Sequence, residues 1–480
     1  MTPETIVPML GDWTNNGRAL NEALADALAV AIERGELEPG ALLPAERRLA
    51  AALDVSRGTV VAAYARLRDR QLVVTEHGSG TRIGAGGRAS RTAAAPFVNL
   101  MQQPDGNVLA FRSADWTGDR GLPEDIVDAA RPLLSTLGAT AGYFPTGIAP
   151  LRQGIARWFD ELGLPTAPEQ VMVTTGAQQA IALVIDLLVS AGTPVVVEQL
   201  SYPGALDALR AAGANVHGAP MTPLGVDVPA LERTVERHRP ALVYLTPAVN
   251  NPTGLVVPRL ARRRIAELMD RCDGVLLEDL SLAETQLEGP LAPPIASFAS
   301  PSAQRRMIVV GSLSKIAWSG LRIGWVRAPV QLVGRLTRHK LLADLGGSVP
   351  SQAIAVGALA RSRELRAQRV AGIRTRLDVL TSELAVSIPE WSWTTPAGGL
   401  CLWVHIGGDS SVRFVPVALR HGIAVAPGAV NAADGGAIDH IRLPLGHPPD
   451  VLREAVRRLS AAWHDERGDF RACGTEHVIV

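Results

Sequence analysis

Apolar positions recur at helical spacing near the start of the chain. Leu20, Leu24, Ala27 and Ala31 form a stripe that predicts an amphipathic helix over residues 18–34, stopped by Gly35. Leu49 and Leu53 predict a second helix over residues 44–53, with Pro44 as its first residue. Asp54-Val55-Ser56 reads as a short turn in which Ser56 caps a third helix, and Val60, Tyr64 and Leu67 face inward along it. Leu72-Val73-Val74 and Thr81-Arg82-Ile83, joined at His77-Gly78-Ser79-Gly80, predict a hairpin with a glycine-built tip. Helix, helix, turn, helix and wing is the order of a winged helix-turn-helix.

The grammar changes further along. Residues 84–97 are small, basic and unpatterned, and read as a flexible linker. Short apolar runs at 171–174, 194–198, 241–245, 275–278 and 307–310 then alternate with helix-length segments such as 177–190 and 259–271. That alternation predicts an α/β fold with a mainly parallel central sheet covered by helices. The expected organisation is a winged helix over 1–83, the linker, a large domain over 98–465, and a tail over 466–480 without a pattern of its own.

Charge sharpens this picture. The 480 residues carry 47 basic and 47 acidic side chains, so the total is neutral. Residues 1–40 hold seven acids and two arginines, whereas residues 41–91 hold nine arginines and four acids. The neutral sum therefore hides a basic footprint over the second and third helices and the wing. Only two of the basic residues are lysines, Lys315 and Lys340. Chemistry that needs an amine nucleophile has two candidates, because arginine stays protonated. Lys340, within Arg338-His339-Lys340-Leu341, reads as a solvated helix residue. The three cysteines lack metal-ligand spacing, so no metal site is expected. Neither a secretory leader nor a membrane span is expected, which predicts a cytoplasmic protein.

The third helix would present its N-terminal residues Arg57, Gly58 and Thr59 to base edges in the major groove, and Ser56 just before them is a further candidate DNA contact. Arg47 and the wing tip, Gly78 and Ser79, would meet phosphates, which set register without reading sequence. Gly35-Glu36-Leu37-Glu38-Pro39-Gly40, Leu43-Pro44-Ala45-Glu46-Arg47, Val55-Ser56-Arg57-Gly58-Thr59-Val60 and Gly78-Ser79-Gly80-Thr81 together resemble the winged helix of GntR-type bacterial regulators. That resemblance implies DNA contact by Arg47, Arg57 and Thr59. Gln71 departs from it, standing where the family usually ends the recognition helix on glycine.

In a parallel α/β sheet, ligands bind at the loops after the strand ends, and the chemistry-bearing residues fall there. Thr175-Gly176-Ala177-Gln178 leaves one strand and opens a helix, offering backbone N–H groups to a phosphate. Tyr202 follows a second strand and could stack on a planar ring. Asn251-Pro252-Thr253-Gly254 offers an amide in a stiff turn. Asp279 ends another strand, where a buried carboxylate needs a cationic partner such as a protonated ring nitrogen. Ser312-Leu313-Ser314-Lys315 follows the next strand, with Arg322 seven residues on.

This ordered set resembles the fold type I pyridoxal 5′-phosphate (PLP) enzymes of the class I/II aminotransferase group, over about residues 140–445. By that resemblance Lys315 would form the Schiff base with the cofactor, Asp279 would pair with the ring nitrogen, Asn251 would bond the ring hydroxyl and Tyr202 would stack. Ser312, Ser314, Arg322 and the Gly176, Ala177 and Gln178 backbone would hold the phosphate. Arg442 would grip a ligand carboxylate, and Tyr143 would reach the phosphate of a neighbouring subunit. The family's tyrosine shortly after the aspartate is missing here, and Ser281 offers only a shorter hydroxyl. The two halves together resemble the MocR/PdxR regulators. That implies a homodimer reading an operator of double-stranded DNA in response to PLP or an amino-acid-like compound. An active aminotransferase carrying a DNA-binding domain, and a regulator whose large domain only dimerises, remain as alternatives.

Overall fold

The computed structural model describes residues 6–10, 13, 19–33, 37, 41–69, 72–76, 80–83, 96–104, 106–117, 122–407 and 410–467. The chain divides into two compact units, Met1–Pro96 and Phe97–Val480. The expected linker segment 84–95, the wing tip with Gly78 and Ser79, Gln71, and the tail beyond 467 lie outside the described residues.

The first unit contains the three expected helices, Leu20–Glu33, Glu46–Ala52 and Arg57–Asp69, and a hairpin of Val73–Glu76 against Gly80–Ile83. The hairpin is antiparallel, with Val73 opposite Ile83 and Glu76 opposite Gly80. Leu24, Leu28, Leu49, Val60, Tyr64 and Leu67 close the core between the helices. Two expectations need correction. Leu20 starts its helix and is exposed, so Leu28 one turn past Leu24 takes the buried place. Pro44 is not the first helical residue, because Ala45 is the N-cap and Glu46 begins the helix. The Pro44 carbonyl has another use: it accepts a hydrogen bond from the Tyr64 hydroxyl at 2.9 Å, tying the second helix to the third. The turn between them passes through Asp54 at φ 53°. Asp tolerates this left-handed region better than most residues.

The second unit is built on a seven-stranded sheet. Its spatial order is Val171–Thr174, Gly324–Arg327, Met307–Ser312, Val275–Asp279, Leu242–Leu245, Pro194–Glu198 and Asn215–Ala219. All neighbours are parallel except Gly324–Arg327, which runs antiparallel to both its partners. The inner strands are apolar throughout because helices cover both faces. A second sheet was not legible in the sequence. It orders Ser392–Trp393, Cys401–His405, His440–Pro444, Ile423–Pro427 and Leu109–Phe111, and packs on the 26-residue helix Ser362–Ser387 and on Pro449–Glu466. Among the described residues no helix is long and apolar enough to cross a membrane.

Lys340 is also corrected. It is fully buried rather than solvated, and its ammonium pairs with Asp344, which Gln179 and the Gly346 N–H also hold. Lys340→Ala is expected to lower the unfolding free energy by about 2 kcal/mol, since it strands a partly buried carboxylate and leaves a gap. A denaturant titration would read this as a lowered midpoint, and an unchanged midpoint would return Lys340 to the surface class.

Candidate functional site

In the first unit, the sequence places a capping hydroxyl at the start of the third helix. Ser56 Oγ accepts from the Thr59 N–H at 3.1 Å and lies 2.9 Å from Thr59 Oγ1. Beside this cap, Arg57 is exposed and its guanidinium meets Glu46 at 3.2 Å. Arg47 is exposed on the second helix. Arg47, Ser56 and Arg57 thus present cationic and hydroxyl groups to solvent, and Thr59 is half-buried.

In the second unit, a cavity of about 360 Å³ gathers most of the expected large-domain residues. Ala177, Gln178, Tyr202, Asn251, Asp279, Ser312, Ser314, Lys315, Arg322 and Arg442 all line it. Gly176 stands at its edge as the N-cap of Ala177–Leu188. Its φ of 92° suits glycine, and a Cβ there would lie 2.7 Å from Arg322 Nη2. The lack of a side chain lets the guanidinium pack against the helix start, where it donates to the Thr175 carbonyl at 2.8 Å. Ser312 and Ser314 hydroxyls lie 2.9 Å apart on the same side. Hydroxyls, a guanidinium and free helix N–H groups make an anion seat.

Asp279 ends a central strand and is buried. Its Oδ2 accepts from the Tyr244 hydroxyl at 2.9 Å and its Oδ1 from the Ser281 N–H at 2.8 Å. Burial pushes its pKa up, and these hydrogen bonds oppose the shift. A buried carboxylate with a raised pKa calls for a cation in the cavity. Lys315 donates to the Ala114 carbonyl at 3.2 Å, and burial pulls its pKa down. About a quarter of its side-chain surface (27%) still opens onto the cavity it lines. A depressed pKa makes the neutral, nucleophilic amine more available. Arg442, on His440–Pro444 of the second sheet, donates to Asn251 Oδ1 at 3.4 Å and to the Arg112 carbonyl at 2.6 Å.

Tyr143 differs from the rest. It is 66% exposed and does not line the cavity of its own chain. Conversely, Phe97, Met101, Asp115 and Cys401 line the cavity, and Tyr244 supports Asp279, without having been singled out in the sequence. Phe97 meets the Tyr202 ring edge-on at 5.5 Å. Strand periodicity marks Tyr244 only as a core residue. Asp115 follows Leu109–Phe111, a strand of the second sheet, and so had no pattern to announce it.

Glu198 lies beneath the cavity wall, fully buried, and accepts from the Thr246 N–H at 2.8 Å. Burial raises its pKa from 4.5 to about 7, against the opposing hydrogen bonds. Folded Glu198 therefore holds its proton more tightly than the unfolded chain does. Its stabilising contribution is complete below about pH 4.5 and is lost as the pH rises through about 7. Glu198→Gln is expected to flatten the fall in thermal stability across that interval. A melting series from pH 5 to 8 on both proteins checks this, and parallel curves would refute it.

Residues 107–459 match the family of class I and II aminotransferases, and the chain belongs to that family. Residues 20–83 match the gntR family of bacterial regulatory proteins, so the aminotransferase-like domain follows a GntR winged helix. A 2-aminoadipate transaminase of Thermus thermophilus is 31% identical over 78% of this chain and 94% of its own length. The HTH-type transcriptional regulator YjiR of Escherichia coli is 28% identical, and the match spans both domains: 92% of this chain and 97% of YjiR. Among solved structures, the α-aminoadipate aminotransferase LysN of Thermus thermophilus, complexed with N-(5′-phosphopyridoxyl)-L-leucine, superposes with a TM-score of 0.71. It is 29% identical and covers 80% of this chain and 98% of LysN. The cavity's chemistry fits a phosphorylated pyridine aldehyde: an anion seat at Arg322, a buried carboxylate at Asp279 and an amine at Lys315.

Proposed function

We propose that the protein is a transcription regulator that binds PLP in its aminotransferase-like domain and reads operator DNA with its GntR domain. The observation that carries the cofactor half is the meeting of Lys315, Asp279, Arg322 and Arg442, far apart in sequence, in one cavity. A bound PLP supplies an aldehyde that condenses with amines and a ring that withdraws electrons. Lys315 provides the amine, and its depressed pKa favours the unprotonated nitrogen. Asp279 would hold the ring nitrogen protonated, and Tyr244 fixes the carboxylate that does so. Asn251 would meet the ring hydroxyl and Tyr202 the ring face. Ser312, Ser314, Arg322 and the helix start at Gly176, Ala177 and Gln178 would take the phosphate. Arg442 would hold a ligand carboxylate in a two-pronged contact.

In this reading the protein works in the cytoplasm as a homodimer, with Tyr143 completing the partner's phosphate seat and two winged helices meeting two half-sites. An amino-acid-like ligand changes DNA affinity only if it binds two conformations unequally. Arg57→Ala is expected to weaken operator binding by about tenfold or more, with affinity also falling steeply in salt. Gel-shift titration against the upstream DNA checks this. Unchanged affinity would remove Arg57 from the reading face.

The second reading, an active aminotransferase, is supported by Lys315 and Arg442 sharing the cavity. Multiple turnovers with ordinary amino acids and a keto acid would establish it over pure sensing. A single, non-repeating half-reaction would support the sensor.

A further inference from the structure

The cavity contains one charge that neither the cofactor nor an α-amino acid would use. Arg322 answers the phosphate, Asp279 the ring nitrogen, Lys315 the aldehyde and Arg442 a carboxylate. Asp115 is left over. It lines the same cavity with its side chain 46% exposed, and its Oδ1 lies 3.8 Å from Lys315 Nζ.

The main chain from this residue to Thr117 is firmly held. Gly446 packs so tightly on the Asp115 carbonyl that a Cβ there would sit 1.5 Å from the oxygen. Thr117 N–H donates to the Gly446 carbonyl at 2.8 Å. The Trp116 ring meets the guanidinium of Arg369 at 4.1 Å and that of Arg376 at 3.5 Å. The backbone that carries the Asp115 carboxylate is thus fixed in the cavity wall.

Its present cation is the Lys315 ammonium. Covalent engagement with the cofactor would weaken that partner, because an imine nitrogen is a weaker base than an amine and has at most one hydrogen to offer. Arg442 and Arg322 then face anions of their own. A carboxylate whose nearest cation is so weakened favours a ligand that brings one and repels a ligand that brings a second acid.

We propose that Asp115 selects the ligand: the site takes a diamino monocarboxylic acid, of the ornithine or lysine kind, and rejects dicarboxylic amino acids. Arg442 receives the carboxylate, one amine approaches the cofactor, and the second, cationic nitrogen pairs with Asp115. This rests on the cavity binding PLP as described above.

The test uses the full-length protein loaded with PLP and isothermal calorimetry with L-ornithine, L-norvaline and L-glutamate, which have side chains of similar length. Ornithine is expected to bind about tenfold more tightly than norvaline, the size of one partly exposed charge-assisted contact, and glutamate more weakly than both. The readout is the ornithine-to-norvaline ratio within each protein, so differences in loading cancel. Asp115→Asn should bring that ratio near one, and Asp115→Glu should keep it above one. Equal binding of ornithine and norvaline by the wild type, or an undiminished ratio in Asp115→Asn, overturns the proposal. Failure of all three compounds to bind a demonstrably loaded protein overturns it too, while leaving the cofactor reading intact. Failure of PLP itself to attach to the wild type would overturn both.

Discussion

Lys315→Ala is expected to abolish covalent capture of PLP, taking the wild type's one cofactor per chain to none. The chain has only two lysines, so a second side-chain amine could rescue capture only through Lys340. That route is closed, because Lys340 is fully buried against Asp344 and does not line the cavity. Arginine cannot substitute, since its guanidinium keeps its proton. Borohydride reduction of the loaded protein followed by intact-mass measurement reads the outcome directly. A mass increment retained in Lys315→Ala would refute the assignment. Lys340→Ala serves as a control: it should keep the increment while losing stability. Because lysines are so few, peptide mapping would also identify the modified residue without ambiguity.

Asp279→Asn is expected to weaken PLP affinity by about a hundredfold. The substitution keeps a side chain of similar shape beside Tyr244 and Ser281 but removes the negative charge. A protonated ring nitrogen would then lie in a buried setting without its counter-ion. The same argument gives a pH dependence. Acid protonates Asp279 and weakens the pairing, and because burial raises this pKa, the loss begins at a higher pH than for an exposed aspartate. Cofactor titrations of wild type and variant across acid and neutral pH would show affinity falling more steeply toward acid in the wild type than in the variant. Equal affinities at neutral pH would remove Asp279 from the cofactor's partners.

The missing tyrosine after Asp279 looks different once the fold is known. Ser281 contributes its backbone N–H to the carboxylate, and a phenol does reach Asp279, but from Tyr244 on the neighbouring parallel strand. That phenol orients the acid. It does not line the cavity, so it is no substitute for a hydroxyl beside a cofactor oxygen.

Much of the protein was legible in its sequence because local rules govern those parts. Helical spacing of Leu24, Val60, Tyr64 and Leu67 marks the core face of the winged helix. Ser56 is a recognisable cap because a hydroxyl before a helix answers a free N–H. Runs such as 307–310 announce buried strands, and chemistry placed after strand ends follows from how parallel sheets are wound. Lys315 stood out because only one other lysine competes with it.

Tertiary structure alone decided the rest. No local pattern distinguishes a buried lysine from a solvated one, since the difference is whether a partner such as Asp344 waits inside. Asp115 and Arg442 reach the cavity through the second sheet, whose short strands carry no strong alternation of their own. Tyr244 and Asp279 are 35 residues apart and meet only because two strands pair in register. Sequence by itself determined the elements and the chemistry available at their ends, because propensity, capping and periodicity act over a few residues. Which charges face one another across the cavity was settled by strand order and packing, because those contacts join residues separated by tens to hundreds of positions.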